Sequence, residues 1–269
     1  MILHLSTSVF LMKAIIRLIF ILLYFSACLA APSSNSYITD GQDAQPGEFP
    51  YQVSIQWGIP PLIKFRHVCG GSIIGDKTVL TAGHCILKLG KFKIIAEMRV
   101  HLIHDRLYVH SGVAQHDIAI MKLATPLVMN ERVQAIKLPA QGEQQTGQAV
   151  LSGWGSVSKK VLPVLPAVLQ KVNLPLIEND QCLKELTATP PVIGKGPEIF
   201  DTQICSGTNG KEVSACSGDS GGPLAQVVDG VATQVGIVSW GMMPCGVGKT
   251  PSVYTRVASY VDWIVNAAQ

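Results

Sequence analysis

Short apolar runs recur along the chain from Ile38 to Gln269, and glycine, proline and asparagine residues separate them. Many residues of these runs are β-branched, which is typical of strands bounded by turns. The runs are FPYQVSIQ, GGSIIGDKTVLTA, DIAIMKL, QAVLSGWG, QVGIVSWG and PSVYTRV. Because no repeat, low-complexity tract or flexible linker divides this region, the pattern predicts an all-β barrel or sandwich.

The last stretch, YVDWIVNAAQ, has a different periodicity. Val261, Ile264 and Val265 recur at the spacing of one helix face. The sequence therefore predicts a closing helix that packs on a barrel.

The amino-terminal segment has the organisation of a secretory signal. Lys13 and Arg17 precede an apolar run, Leu18 to Phe25, and the small residues of SACLA follow it. We expect cleavage after Ala30, which makes residues 1–30 a signal peptide and the mature protein extracellular. An uncleaved membrane anchor is the alternative, although the apolar run is short for a complete span.

Composition and charge exclude some classes of protein. Apolar residues make up 48% of the 269 residues, which is enough for a large core and excludes a disordered chain. The formal net charge is +3, and lysine and arginine form no run. We therefore expect no nucleic-acid partner.

Seven cysteines are present, and one of them, Cys28, lies in the predicted signal. The remaining six are an even number in a protein bound for an oxidising compartment, which predicts three disulfides. Their positions alone leave the pairing open.

The hexapeptide GDSGGP, Gly218 to Pro223, surrounds Ser220 with glycines that permit tight turns. A serine hydroxyl is a weak nucleophile unless a base takes its proton, so this site needs a histidine and an orienting carboxylate. His84 in LTAGHC and Asp117 in HDIAIMKL are the candidates, each beside an apolar run of the strand type.

In the order His, Asp, Ser, these segments resemble the chymotrypsin-like serine peptidases. The resemblance covers nearly all of residues 38–269 and includes ITDG, FPYQVSI, CGGSII, SGWG, VSWG, PSVYTRV and YVDWI. It implies two six-stranded antiparallel β-barrels, an active site in the cleft between them, and a carboxy-terminal helix.

The resemblance also implies a role for each site residue. Ser220 would attack the scissile carbonyl, His84 would move the proton, and Asp117 would orient and charge-stabilise the histidine. The backbone N–H groups of Gly218 and Ser220 would form the oxyanion hole. The disulfides implied by the same resemblance are Cys69–Cys85, Cys182–Cys205 and Cys216–Cys245.

The specificity pocket implied by the family has Ser214 at its base, where an aspartate would call for Arg or Lys substrates. Ser239, Trp240 and Gly241 would form one wall and pair with the substrate backbone, and Gly241 would leave that wall open. Ser252 stands where the family often has glycine and would narrow the deep end. We expect a chymotrypsin-like preference for aromatic or large aliphatic residues, with an elastase-like preference for small residues as the alternative.

Activation in the family requires a cut before an isoleucine, here Ile38, whose new amino group pairs with Asp219. Residues 31–37 would then be an activation propeptide. The residue before the cut is Tyr37, whereas most relatives have Arg or Lys there. Because a tyrosine suits an uncharged pocket, we expect the mature enzyme to activate its own zymogen.

Between His84 and Asp117 the chain is shorter than the usual family pattern. The lost part corresponds to a hairpin that often carries calcium in relatives, so we expect no calcium there and a first barrel that lacks a strand or hairpin. This departure leaves open a catalytically silent homologue that acts by binding. We expect no metal and no cofactor, a monomer, and protein or peptide substrates and protein protease inhibitors as partners.

Overall fold

The computed structural model describes Ile38 and residues 41–59, 61–86, 91–95, 100–103, 108–110, 113–160, 162–188 and 197–269. Tyr37 and the segments predicted as signal and propeptide lie outside the described residues. The described residues all belong to one compact unit, Ser36–Gln269. Within them, no helix is both long and apolar enough to cross a membrane.

Strands dominate the architecture. In chain order they are β1 (Gln42–Asp43), β2 (Gln52–Ile59), β3 (Ile63–Gly75), β4 (Thr78–Thr81), β5 (Lys91–Ile95), β6 (Val100–Ile103), β7 (Tyr108–His110), β8 (Val113–Gln115), β9 (Ala119–Leu123), β10 (Gln148–Gly153), β11 (Gln170–Ile177), β12 (Gln203–Ser206), β13 (Pro223–Val228), β14 (Val231–Gly241) and β15 (Ser252–Arg256). The helices are α1 (Asn179–Ala188) and α2 (Val261–Ala268), with short 3₁₀ turns at Gly83–Cys85, Val247–Lys249 and Val257–Ser259.

The first half of the domain is a six-stranded antiparallel sheet in the order β5-β2-β3-β4-β9-β6. The strands β7 and β8 form a separate hairpin. The expectation of a missing strand was therefore wrong, because the shortened segment between His84 and Asp117 still supplies β5 and β6. The expected loss of a calcium-binding loop concerns a segment that lies partly outside the described residues.

The second half is a closed barrel in the order β11-β10-β13-β14-β15-β12. It closes because β12 pairs back with β11, placing Leu176 opposite Ser206. The short strand β1 joins the edge of β11. With the first sheet and the carboxy-terminal helix, this barrel confirms the all-β prediction.

Alternation along the strands fills one core in each half, since side chains of a strand point to opposite faces in turn. In the first half, Val53, Ile55, Leu80 and Ile120 are buried together. In the second half, the buried cluster includes the side chain of Ile38, which is 0% exposed. The first residue of the predicted mature chain is thus part of the barrel core.

The helices differ from the prediction in detail. Helix α2 packs on the core of the first half through Ile264, Trp263 and Ala267, whereas Val265 is 49% exposed. The predicted helix is confirmed, but Val265 was wrongly placed on its buried face. Helix α1 was not predicted, although Cys182 and Leu186 are buried one turn apart on it.

Candidate active site

His84 and Asp117 meet at one end of two neighbouring strands. His84 lies in the 3₁₀ turn that follows β4, and Asp117 lies two residues before the start of β9. These strands are paired, with Thr81 opposite Ala119. The His84 Nδ1 atom lies 2.7 Å from Asp117 Oδ2, and the backbone N–H of His84 donates to Oδ1 at 2.9 Å. Both carboxylate oxygens therefore hold the histidine.

Asp117 is fully buried, and residues of the second half complete its surroundings. The Ser239 hydroxyl donates to Oδ2 at 2.6 Å, and the Thr255 hydroxyl donates to the Asp117 backbone carbonyl at 2.7 Å. Burial acts to raise the pKa of Asp117. The hydrogen bonds from His84 and Ser239 and the charge of His84 together outweigh burial, so the pKa is lowered overall. The carboxylate thus stays ionised and can stabilise a charged imidazole.

Ser220 lies in a turn that packs against β3 and β4, the two strands that precede His84. Its backbone carbonyl accepts a hydrogen bond from the N–H of Gly70 at 2.8 Å. The next residue, Gly221, has a φ of +77°, and a Cβ there would lie 2.1 Å from Thr81 Oγ1 and 2.7 Å from the Gly70 carbonyl. Only a glycine lets the Ser220 turn approach Thr81 and Gly70 this closely.

Replacing Gly221 with alanine is expected to destabilise the fold by at least about 3 kcal/mol and to abolish activity, because the left-handed conformation and the steric clash both oppose a Cβ. The matched control is Gly210→Ala, at a φ of +72° with nothing within 4 Å of the added atom. That control should lose only about 1 kcal/mol, the cost of the conformation alone. Urea unfolding measures both changes, and equal losses would contradict the close approach.

Gly218, the expected oxyanion-hole residue, is held by a histidine that sequence reasoning missed. Its backbone carbonyl accepts from His67 Nε2 at 2.8 Å, and Nδ1 of the same ring lies 2.7 Å from Ser54 Oγ. Since the carbonyl can only accept, Nε2 carries the proton and the Ser54 hydroxyl donates to Nδ1. Burial lowers the pKa of His67, an effect that the bond to Gly218 partly opposes. A neutral His67 therefore orients the Gly218 residue.

A cavity of about 170 Å³ opens beside Ser220. Its lining consists of residues 215–217 and 239–243 with Val238, Cys245 and Ser220, and none of these carries a charge. A larger cavity of about 890 Å³ is lined by other residues of both halves, and none of the predicted catalytic residues borders it. The smaller cavity is thus the one that borders Ser220, the predicted nucleophile.

The cavity lining agrees only partly with the predicted pocket. Ser239, Trp240 and Gly241 line it, whereas the expected base residue Ser214 and the expected narrowing residue Ser252 do not. Both serines are buried, at 6% and 2% exposure, and the Ser252 hydroxyl accepts from the Ala215 N–H at 3.0 Å. Neither serine is among the residues that line the cavity, so both side chains are buried away from it. Sequence reasoning instead missed Met242 and Met243, which line the cavity.

Asp219 is a second fully buried carboxylate, next to Ser220. It accepts hydrogen bonds from the backbone N–H groups of Gly155 at 2.7 Å and Cys216 at 2.9 Å. Across the described ranges, no lysine, arginine or histidine forms an ion pair with it. Burial raises its pKa to about 6, although the two backbone bonds act in the opposite direction. A positive charge placed next to this buried carboxylate would stabilise its ionised form.

Disulfides brace the site on two sides. The bonds Cys69–Cys85, Cys182–Cys205 and Cys216–Cys245 are the pairs that the resemblance implies. The first lies beside His84, and the last lies in the cavity wall. Cys69, His84 and Cys85 come close enough to hold a metal ion. Because the two sulfurs are bonded to each other, they are not available as thiolate ligands.

Comparison with known proteins agrees with this geometry. A family model described as Trypsin matches residues 38–264. Trypsin-1 of Astacus astacus is 37% identical over 246 residues, which cover 84% of this chain and 98% of that protein. Trypsin Blo t 3 of Blomia tropicalis is 37% identical over 250 residues, which cover 86% of each chain.

The solved structure of neuropsin, a serine protease expressed in the limbic system of mouse brain, superposes with a TM-score of 0.70 at 27% identity. The match covers 86% of this chain and 99% of the neuropsin chain. Together with the family match and the two trypsins, it shows that the chain belongs to the trypsin family and is a serine endopeptidase.

Proposed function

We propose that this endopeptidase is made as a zymogen, acts through a triad of Ser220, His84 and Asp117, and cleaves after aromatic or large aliphatic residues. The observation that carries the proposal is the two-bond contact of His84 with a buried Asp117. The Ser220 turn packs against the strands that precede His84, through the bond from Gly70 and the close approach of Gly221 to Thr81. The uncharged cavity beside Ser220 supports the preference.

In the proposed reaction, the Ser220 hydroxyl attacks the scissile carbonyl while His84 Nε2 takes its proton. Asp117 holds Nδ1 and stabilises the imidazolium, and Ser239 keeps the carboxylate in place. The N–H groups of Gly218 and Ser220 stabilise the oxyanion, a contribution of about 3 kcal/mol for one donor in comparable chemistry. His84 then returns the proton to the leaving amine, so the reaction uses no cofactor.

The preference rests on what the cavity wall lacks. None of the described residues that line the cavity is charged, so an Arg or Lys side chain would be desolvated there without a counter-ion. A Cβ on Gly241 would meet nothing within 4 Å, so this wall leaves room for a large side chain. Ser252, the reason for the elastase-like alternative, bonds to Ala215 and does not border the cavity. These contacts favour the chymotrypsin-like alternative.

Profiling the mature enzyme on a mixed peptide library is expected to show cleavage after Tyr, Phe, Leu and Met, with Arg and Lys at least about tenfold poorer in kcat/KM. The control is Gly241→Val, whose branched side chain would occupy the open wall. That variant should shift the preference toward Ala and Val. A wild-type profile dominated by Ala and Val, or by Arg and Lys, would refute the proposed specificity.

We also propose that the protein is secreted, with residues 1–30 as the signal peptide and residues 31–37 as the propeptide. Its three disulfides support an oxidising compartment. Protein and peptide substrates follow from the family. Protein protease inhibitors as partners and a monomeric state are part of the same proposal.

A further inference from the structure

The wall of the substrate cavity contains an accessible methionine. Met243 lines the same cavity as Ser220, and 55% of its surface is exposed. Its neighbour Met242 also lines the cavity but packs against the buried cluster around Cys182 and Leu186. Met243 is therefore the methionine of this wall that solvent reaches most easily.

The sulfur of Met243 is held against the disulfide that braces the wall. Its Sδ atom lies 3.3 Å from Cys245 Sγ. Because Cys245 is bonded to Cys216, it has no S–H group to donate, and the contact is one between two sulfur atoms. The thioether thus has one side against the disulfide and presents the rest of the residue to solvent and to the cavity.

A mild oxidant can change the polarity of a thioether side chain without breaking the polypeptide chain. Hydrogen peroxide transfers one oxygen atom to the sulfur and leaves as water, and the product is a methionine sulfoxide. The added S–O group is polar and is a strong hydrogen-bond acceptor, whereas the original thioether packs well against apolar and aromatic groups.

We propose that Met243 is a site of oxidative modification, and that its sulfoxide weakens the binding of apolar substrate side chains in the cavity. This inference rests on the proposed specificity. An apolar substrate group that packs against Met243 would have to displace water from the polar oxygen, so KM should rise while the triad, and with it kcat, changes little. We expect kcat/KM for a Phe or Leu substrate to fall on the order of tenfold.

The chain offers matched methionines for comparison. Met129 is 40% exposed but does not line the cavity, and Met121 is fully buried in the core of the first half. Peroxide should therefore oxidise both Met243 and Met129 and spare Met121. The variants Met243→Leu and Met129→Leu each remove one reactive sulfur while keeping the side-chain volume nearly constant.

The experiment treats activated wild type, Met243→Leu and Met129→Leu with hydrogen peroxide and compares each protein with its own untreated sample. Mass spectrometry of peptides identifies which methionines carry oxygen. We expect the rise in KM in wild type and Met129→Leu but not in Met243→Leu, and reversal by methionine sulfoxide reductase. Equal losses in Met243→Leu, or unchanged KM when Met243 is fully oxidised, would overturn the inference.

The untreated wild-type profile separates this inference from the function on which it rests. If untreated enzyme does not prefer apolar residues, the proposed specificity fails before any oxidant is added. If it does prefer them, only the comparison of Met243→Leu with wild type decides the role of Met243. Titration with a serine-directed label should remain stoichiometric after oxidation, because the sulfoxide leaves Ser220 and His84 unchanged.

Discussion

Alanine at Ser220 or at His84 is expected to lower kcat by about 10⁵-fold to 10⁶-fold, and the double variant should lose little more. The physical reason is that the serine is a weak nucleophile without its base, and the base has no proton to take without the serine. Steady-state kinetics on a Phe or Leu peptide, with the mature forms of both single variants and the double variant, measures the effect.

Two controls separate this result from a folding defect. Circular dichroism and thermal unfolding should show that Ser220→Ala retains the fold, since the backbone bond from Gly70 to the Ser220 carbonyl does not involve the hydroxyl. A serine-directed active-site label should react stoichiometrically with wild type and not with Ser220→Ala. Additive losses in the double variant, or no labelling of correctly folded wild type, would contradict the triad and favour a binding role.

Cleavage between Tyr37 and Ile38 is expected to convert an inactive chain into an active one. Ile38 is already packed in the core of the second barrel, in the same cluster as Val213. Asp219 is buried next to Ser220, and no cation pairs with it within the part of the chain that the structure describes. A new ammonium group at Ile38 would supply that cation, and burying either charge alone would cost several kcal/mol.

The test incubates full-length Ser220→Ala protein with a trace of active enzyme and sequences the new amino terminus. We expect ITDG, because Tyr37 fits the uncharged cavity proposed for this enzyme. The control is Tyr37→Arg, which should resist the enzyme itself and become sensitive to a trypsin with Arg and Lys specificity. Self-activation is wrong if ITDG never appears, and the argument from Tyr37 is wrong if that trypsin cuts the wild-type site efficiently.

The same sample gives a second readout through pH. The pKa of Asp219 in the uncut fold is raised from 3.8 to about 6. The free energy of unfolding of the uncut protein should therefore fall as the pH rises through that range and Asp219 ionises. A paired ammonium in the cut protein removes this penalty. Thermal unfolding of Ser220→Ala should therefore show a larger gain from cutting at pH 7 than at pH 4, where the carboxyl is mostly protonated in the uncut fold.

Local chemistry made much of this protein predictable from its sequence. Strand runs bounded by glycine and proline predicted an all-β fold, because alternation and turn formation depend on residues that are close in the chain. GDSGGP, LTAGHC and HDIAIMKL indicated the candidate nucleophile, base and carboxylate through the family resemblance. The helix at the end was predicted from its period, although the core contacts Trp263 and Ile264 and leaves Val265 exposed.

The surroundings of those residues depend on contacts between distant parts of the chain. The hydroxyl of Ser239 meets the Asp117 carboxylate across 122 residues, and His67 meets the Gly218 carbonyl across 151. Short-range sequence periodicity cannot predict these hydrogen bonds, because they form only when the two halves pack against each other. The family resemblance implied Ser214 and Ser252 as pocket residues, but only the fold shows that both are buried and lie outside the lining of the cavity beside Ser220.

The sequence by itself therefore determined the fold class and the residue types that the chemistry needs, since these depend on periodicity and on motifs of a few neighbouring residues. Only the tertiary structure decided that Ser239 and Thr255 hold Asp117 and that Met243 borders the cavity. The reason is physical: burial, hydrogen-bond geometry and cavity shape are properties of side chains that meet in space after the chain has folded.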